Sequence, residues 1–222
     1  MMVEPISVGQ KVAQMLLDIE AVHISDGKPF IFTSGKASPV YIDCRKIISF
    51  PEIRRFLMTQ GAKMMAELSA DAPYDAVAGG ETAGIPFAAW MSEELDKPMQ
   101  YIRKKPKGFG RDAQIEGLIS EGQHILLVED LATDGGSKLN FINAIRTAGA
   151  QVNHIFVIFY YDIFKDAMTK LADEQVSLHY LATWWDVLAA IKADPAFSDE
   201  RVAKVESFLH DPVTWSRENG GE

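Results

Sequence analysis

With 222 residues, 47% of them hydrophobic, the chain is long enough for one α/β unit with its own core and too short for two ordinary domains. Its 31 Asp and Glu outweigh 22 Lys and Arg, and the net charge of −9 excludes a protein that coats duplex nucleic acid, though not one that receives a small anion in a local basic cluster. A lone cysteine, Cys44, excludes an internal disulfide framework and a Cys-based zinc site; with no signal-peptide pattern in Met1 to Val12 and no apolar run near ~18 residues, a soluble cytoplasmic protein without membrane contact is expected.

Val8, Val12, Met15, Leu16, Ile19 and Val22 recur at helical spacing and predict an amphipathic helix. Two extended runs follow, Pro29 to Thr33 and Val40 to Cys44, joined by the turn-rich Ser34-Gly35-Lys36-Ala37-Ser38-Pro39. Pro51 suits a first helical position, with Ile53, Phe56, Leu57, Met64 and Leu68 as the buried stripe. From Asp75 onward short apolar strands alternate with helices. Strands are expected at 76–79, 99–103, 124–128, 152–160 and 176–181, with helices at about 85–94 and 136–148. Such alternation implies right-handed crossovers and a mostly parallel sheet flanked by helices. Asp199 to Trp215 reads as one terminal helix. In such sheets ligands lie beyond the carboxyl ends of the strands, so chemistry is sought just after each strand.

The strongest signal follows the third of these strands: Val128-Glu129-Asp130-Leu131-Ala132-Thr133-Asp134-Gly135-Gly136-Ser137-Lys138. Two carboxylates precede a short loop whose paired glycines let backbone N–H groups approach a ligand. Thr133 and Ser137 add hydroxyls, and the next helix presents its positive end, together a cradle for a phosphate. The simpler reading is a strand–turn–helix joint with Asp134 as the helix cap. The Walker and dinucleotide-binding glycine spacings are both absent. Second, Arg103-Lys104-Lys105-Pro106-Lys107-Gly108-Phe109-Gly110-Arg111 places five cations in nine residues. It reads as a solvated basic turn, or as a mobile lid for an anion with several phosphates. Third, Ala78-Gly79-Gly80-Glu81-Thr82-Ala83-Gly84-Ile85-Pro86 offers a tight turn or a second nest of backbone donors. Fourth comes Phe32-Thr33-Ser34-Gly35-Lys36-Ala37-Ser38-Pro39-Val40-Tyr41-Ile42-Asp43-Cys44-Arg45, by itself a β-hairpin with Phe30, Phe32 and Tyr41 in its core. His23, His124, His154, His179 and His210 show no metal spacing, and Cys44 reads as a small buried residue.

Together the four segments resemble, in order, the motifs of the type I phosphoribosyltransferases, and the second and fourth resemble those of the orotate phosphoribosyltransferases. The resemblance implies a type I phosphoribosyltransferase fold, with residues 1–50 as a small N-terminal hood, 51–195 as the α/β core and 196–222 as a C-terminal helix. It implies transfer of a phosphoribosyl group from phosphoribosyl pyrophosphate (PRPP) to orotate, giving orotidine 5′-monophosphate and pyrophosphate. PRPP would be held by Thr82 and Ala83, by Arg103, Lys104 and Lys107, and by Glu129, Asp130, Leu131, Ala132, Thr133, Asp134, Gly135, Gly136 and Ser137. Glu129 and Asp130 would face the ribose hydroxyls, and Lys107 and Asp130 would act at the reacting atoms. Orotate would lie against Lys36, Tyr41, Thr133 and Tyr161. Mg²⁺ is the implied cofactor, carried by ligand oxygens and water without direct side-chain ligands. A homodimer is implied, because the basic loop serves the neighbouring subunit's site in this family.

The chain departs from the pattern at three places. Phe109 stands where the loop often has His, Ala83 where some members have Lys, and Tyr161 where many have an Arg that pairs with the orotate carboxylate. A phenol donates one hydrogen bond and cannot form a bidentate ion pair, so carboxylate recognition shifts to Lys36, Arg45 or backbone donors, or the base differs. A phosphoribosyltransferase for another base and a non-catalytic PRPP-binding relative are the alternatives.

Overall fold

The computed structural model describes residues 6–32, 34–68, 73–108, 114–164 and 166–222, and only the backbone of Ser137. Helix α1 (Val8–Asp18) opens on a reciprocal cap in which Ser7 and Gln10 satisfy each other's backbone N–H groups. It ends four residues short of the expected Val22, because Glu20 turns left-handed at φ 54°. Val22 instead opens strand β1 (Val22–Ile24). The two extended runs also shorten, to β2 (Phe30–Ile31) and β4 (Val40–Ile42), and they do not pair with each other. β2 pairs with β3 (Ala37–Ser38), while β4 pairs antiparallel with β1. These short pairs form a small hood. The end of the second run is lost because Asp43 caps a 3₁₀ turn over Cys44–Ser49 by accepting the Arg45 N–H.

Helix α2 (Pro51–Leu68) leads to the core, where β5 (Ala76–Gly80), α3 (Gly84–Leu95), β6 (Met99–Ile102), β7 (Ile115–Glu116), β8 (His124–Ala132), α4 (Gly136–Thr147) and β9 (Gln151–Tyr160) follow in turn. Helix α5 (Asp166–Asp173), which the sequence reading did not foresee, precedes β10 (Ser177–Thr183) and α6 (Trp184–Ala193). The six-stranded sheet runs β10-β9-β8-β5-β6-β7, parallel throughout except for β7, which is antiparallel to β6. The expected mixed α/β architecture is therefore present. β8 carries buried apolar residues on both faces. Leu126 and Val128 join one core layer, and Ile125 and Leu127 the other.

The expected terminal helix is two helices, α7 (Asp199–His210) and α8 (Pro212–Glu218). Pro212 has no N–H to continue α7, and Asp211 starts α8 by accepting the Thr214 N–H. This end of the chain reaches back to the hood. Ser216 Oγ accepts the Ala37 N–H at 2.9 Å, and Lys204 Nζ donates to the Ser25 carbonyl at 2.9 Å. Among the described residues, no helix is long and apolar enough to cross a membrane.

Candidate active site

Strand β8 runs four residues beyond the expected 124–128, so Glu129 and Asp130 lie within the strand. Successive strand residues face opposite sides. Glu129 therefore follows Ile125 and Leu127 toward α4, and Asp130 follows Leu126 and Val128 toward the hood. The turn into α4 passes through Gly135 at φ 79°, a conformation that suits glycine. Gly135, rather than Asp134, is the helix cap, although Asp134 Oδ1 accepts the Gly136 N–H at 3.2 Å.

Two cavities meet along this wall. The first, about 470 Å³, is lined by Thr82 and Ala83 from the β5–α3 joint, by Lys104, by Glu129 and Asp130, and by Lys138 from the first turn of α4. The second, about 640 Å³, opens beneath the hood between Lys36, Tyr41, Thr133, Tyr161 and Phe164. Arg45, Asp130, Leu131 and Thr133 line both, so the cavities share one wall. Three of the motifs read from sequence thus surround the first cavity, and the fourth roofs the second. Ala132, Gly135 and Gly136 complete the β8–α4 turn, while the side chain of Ser137, together with Thr33 and Phe109, lies outside what is described.

Burial pushes the carboxyls of Glu129 and Asp130 above the ordinary carboxylate range, and the Lys138 ammonium pulls both partway back. The Leu131 N–H, donated to Asp130 Oδ1 at 2.9 Å, and the Arg45 guanidinium act on Asp130 in the same direction as Lys138. Lys138 Nζ lies 3.0 Å from Glu129 Oε2, and both side chains are more than nine-tenths buried. Nothing in the motif comparison singled out Lys138. Its signal was physical: a lysine in the first turn of a helix opposes the helix dipole and calls for an acid beside it.

The basic segment divides. Lys104 stays at the first cavity because Glu81 Oε2 accepts its N–H at 2.8 Å and Asn140 Nδ2 donates to its carbonyl at 3.3 Å. Arg103 and Lys107 turn away toward Glu116 Oε1, at 3.3 and 4.0 Å, and line neither cavity. Lys107 is 73% exposed. Under the hood Tyr41 faces outward between buried Val40 and Ile42, its ring near His23 and Phe30, so it is not the packed core residue of the simpler reading. Lys36 Nζ sits 4.8 Å from the centre of the Phe164 ring, which stacks on Tyr161. Burial drives the Tyr161 phenol far up, so it remains a neutral donor. Cys44 is fully buried, as expected.

The family described as "Phosphoribosyl transferase domain" matches residues 56–180. An orotate phosphoribosyltransferase of Ruegeria sp. is 56% identical over 207 residues, covering 93% of this chain and 92% of that protein. One of Dinoroseobacter shibae is 57% identical over 204 residues, covering 91% and 90%. The crystal structure of orotate phosphoribosyltransferase from Aeropyrum pernix superposes with a TM-score of 0.69 at 29% identity, over 82% of this chain and 99% of that one. At these identities over nearly the whole of both chains, the chain belongs to the orotate phosphoribosyltransferases of the phosphoribosyltransferase family.

Proposed function

We propose that the first cavity receives PRPP, that the second receives orotate, and that the phosphoribosyl group passes between them to give orotidine 5′-monophosphate and pyrophosphate. The observation that carries this reading is the shared wall. Asp130 borders both cavities, where an anomeric carbon would lie between its leaving group and the incoming base nitrogen.

Breaking the anomeric C–O bond builds positive charge on the ribose and negative charge on the pyrophosphate, so catalysis is mainly electrostatic. Asp130 offers a carboxylate to the ribose side and Lys104 an ammonium to the pyrophosphate side. The β8–α4 turn, with Thr133, positions the 5′-phosphate. Under the hood, Lys36 and Arg45 supply the cations for an orotate carboxylate that Tyr161 cannot pair as an ion, and the Tyr41 ring supplies apolar surface. The first wall sets Glu81, Glu129 and Asp130 among Lys104 and Lys138, a mixed lining that suits a magnesium pyrophosphate. Mg²⁺ bound through ligand oxygens would supply charge neutralisation on the leaving group.

Lys107 points away from its own subunit's cavities and is free to enter a neighbour's, which supports a homodimer in which each basic loop completes the other site. We place the enzyme in the cytoplasm, as the lone buried Cys44 suits a reducing compartment. Incubating the protein with PRPP, Mg²⁺ and each of orotate, uracil, adenine and hypoxanthine, and following pyrophosphate release, tests the reading. Release with orotate alone is expected. Release with another base in preference to orotate would reassign the second cavity, and release with none would remove the catalytic reading.

A further inference from the structure

We infer that Lys138 is a positioning residue for the PRPP site, fixing the Glu129 carboxylate so that one of its oxygens is held for the ligand. The inference rests on the reading of the first cavity as the PRPP site.

Four observations carry it. Lys138 Nζ donates to Glu129 Oε2 at 3.0 Å, and both side chains are more than nine-tenths buried. The other oxygen, Oε1, is also buried, and it has no hydrogen-bond partner among the described residues. That oxygen lies tight against Gly80 and Gly84, where any Cβ would collide with it, so the β5–α3 joint is shaped around this carboxylate. Glu129 and Lys138 also line the first cavity.

An unpaired buried carboxylate oxygen is costly, and a hydroxyl donor from the ligand relieves that cost. Lys138 binds Oε2 and leaves Oε1 as the oxygen without a partner, and the ion pair together with the two glycines fixes where it sits. The length of the glutamate side chain, one methylene longer than an aspartate's, has a structural correlate as well. Its extra methylene carries the carboxylate out to an ammonium that comes from α4, nine residues along the chain. Asp130, facing the other side of the strand, has no hydrogen bond from Lys138 and takes the Leu131 N–H instead, with the Lys138 and Arg45 charges both acting on it from further off. Lys138 thus orients the first acid by a direct hydrogen bond and reaches the second by charge alone.

The test uses the full chain with K138M, E129Q and the double variant. Steady-state kinetics with orotate are combined with calorimetric PRPP binding, which needs no base and so stands apart from the identity of the second substrate. K138M is expected to weaken PRPP binding and raise its KM by roughly tenfold or more, with the orotate KM within about twofold of the parent. Because Lys138 acts through Glu129, K138M/E129Q should bind PRPP no more weakly than E129Q alone. A parental PRPP affinity in folded K138M overturns the inference. So does an equal rise in both KM values, which marks a general loss of structure. Should K138M fail to fold, the comparison of E129Q with the double variant decides. Equal affinities support positioning, and a further tenfold loss in the double variant assigns Lys138 directly to the ligand and overturns it. Absence of PRPP binding by the parent chain removes the reading of the cavity itself, a result distinct from all of these.

Discussion

Arg45 touches both cavities and Asp130 stands between them, so the charge of the first acts on the second. Burial raises the Asp130 carboxyl and Arg45 is one of the groups that lower it. Removing Arg45 therefore raises the carboxyl further, and the ionised form is lost at a higher pH as the solution is acidified. The acid limb of kcat/KM in R45Q is expected to move up relative to the parent, and an unmoved limb would show that Asp130 ionisation does not govern the rate. Tyr161 permits a narrower experiment. Its buried phenol is neutral and lines the second cavity together with Lys36, so Y161F changes hydrogen bonding and no charge. The orotate KM should rise by roughly three- to tenfold, equivalent to about 1 kcal/mol, with the PRPP KM unchanged. Lys107 differs from both because it contacts no cavity of its own subunit. K107A should reduce kcat by about a hundredfold while leaving PRPP affinity nearly intact, and parental turnover would remove the residue from the chemistry.

Among the elements, the hood is held in place by α8. Ser216, buried at 1% exposure, accepts the Ala37 N–H and donates to the Glu222 carbonyl at 3.0 Å, next to the segment that carries Lys36 into the second cavity. Ser216→Ala leaves the Ala37 N–H buried and unpaired, at a cost of about 1–3 kcal/mol. A lower Tm together with a higher orotate KM is expected, and an unchanged orotate KM would mean that the hood is set independently of α8. Which elements could be read from sequence follows from where their determinants lie. β8 and β9 were legible because apolar residues fill both faces over a long run. Ile115–Glu116 was not, since two residues at a sheet edge carry no periodicity and take their conformation from β6. The hood strands were misjudged because their partners come from α1's exit and from the Lys36 turn rather than from each other. Pro212 marks the break between α7 and α8, a signal that the reading of one terminal helix passed over. At the site, chain-local features such as the acid pair and the two turns were legible in full. Lys138, Phe164 and the Glu81 contact with Lys104 were not, because each acts through an approach that only the folded chain makes.

Across the whole molecule, the histidines that sequence spacing left scattered include one close pair. His154 Nδ1 and His179 Nε2 lie 3.0 Å apart on neighbouring strands. Burial lowers both, His179 from 6.5 to about 4, with the His154 charge adding to the effect. The unfolded chain then binds protons more readily than the folded one between these values, so this contribution to stability is present above pH 6.5 and is lost as the pH falls toward 4. The raised carboxyls of Glu129, Asp130 and Asp162 act in the opposite sense, so the comparison must be differential. The gap in Tm between the parent and the H154Q/H179Q variant is expected to change between pH 7 and pH 4.5 in favour of the variant, and a constant gap would mean the pair does not titrate with unfolding. The bonds from the chain's far end to the hood have a kinetic meaning too. Ala37 with Ser216, and Ser25 with Lys204, are each separated by 179 positions, so the roof over the second cavity closes very long loops. Loops of that span close late and slowly. During synthesis the β8–α4 turn leaves the ribosome before α7 and α8, so the roof over the second cavity gains its Lys204 and Ser216 supports last.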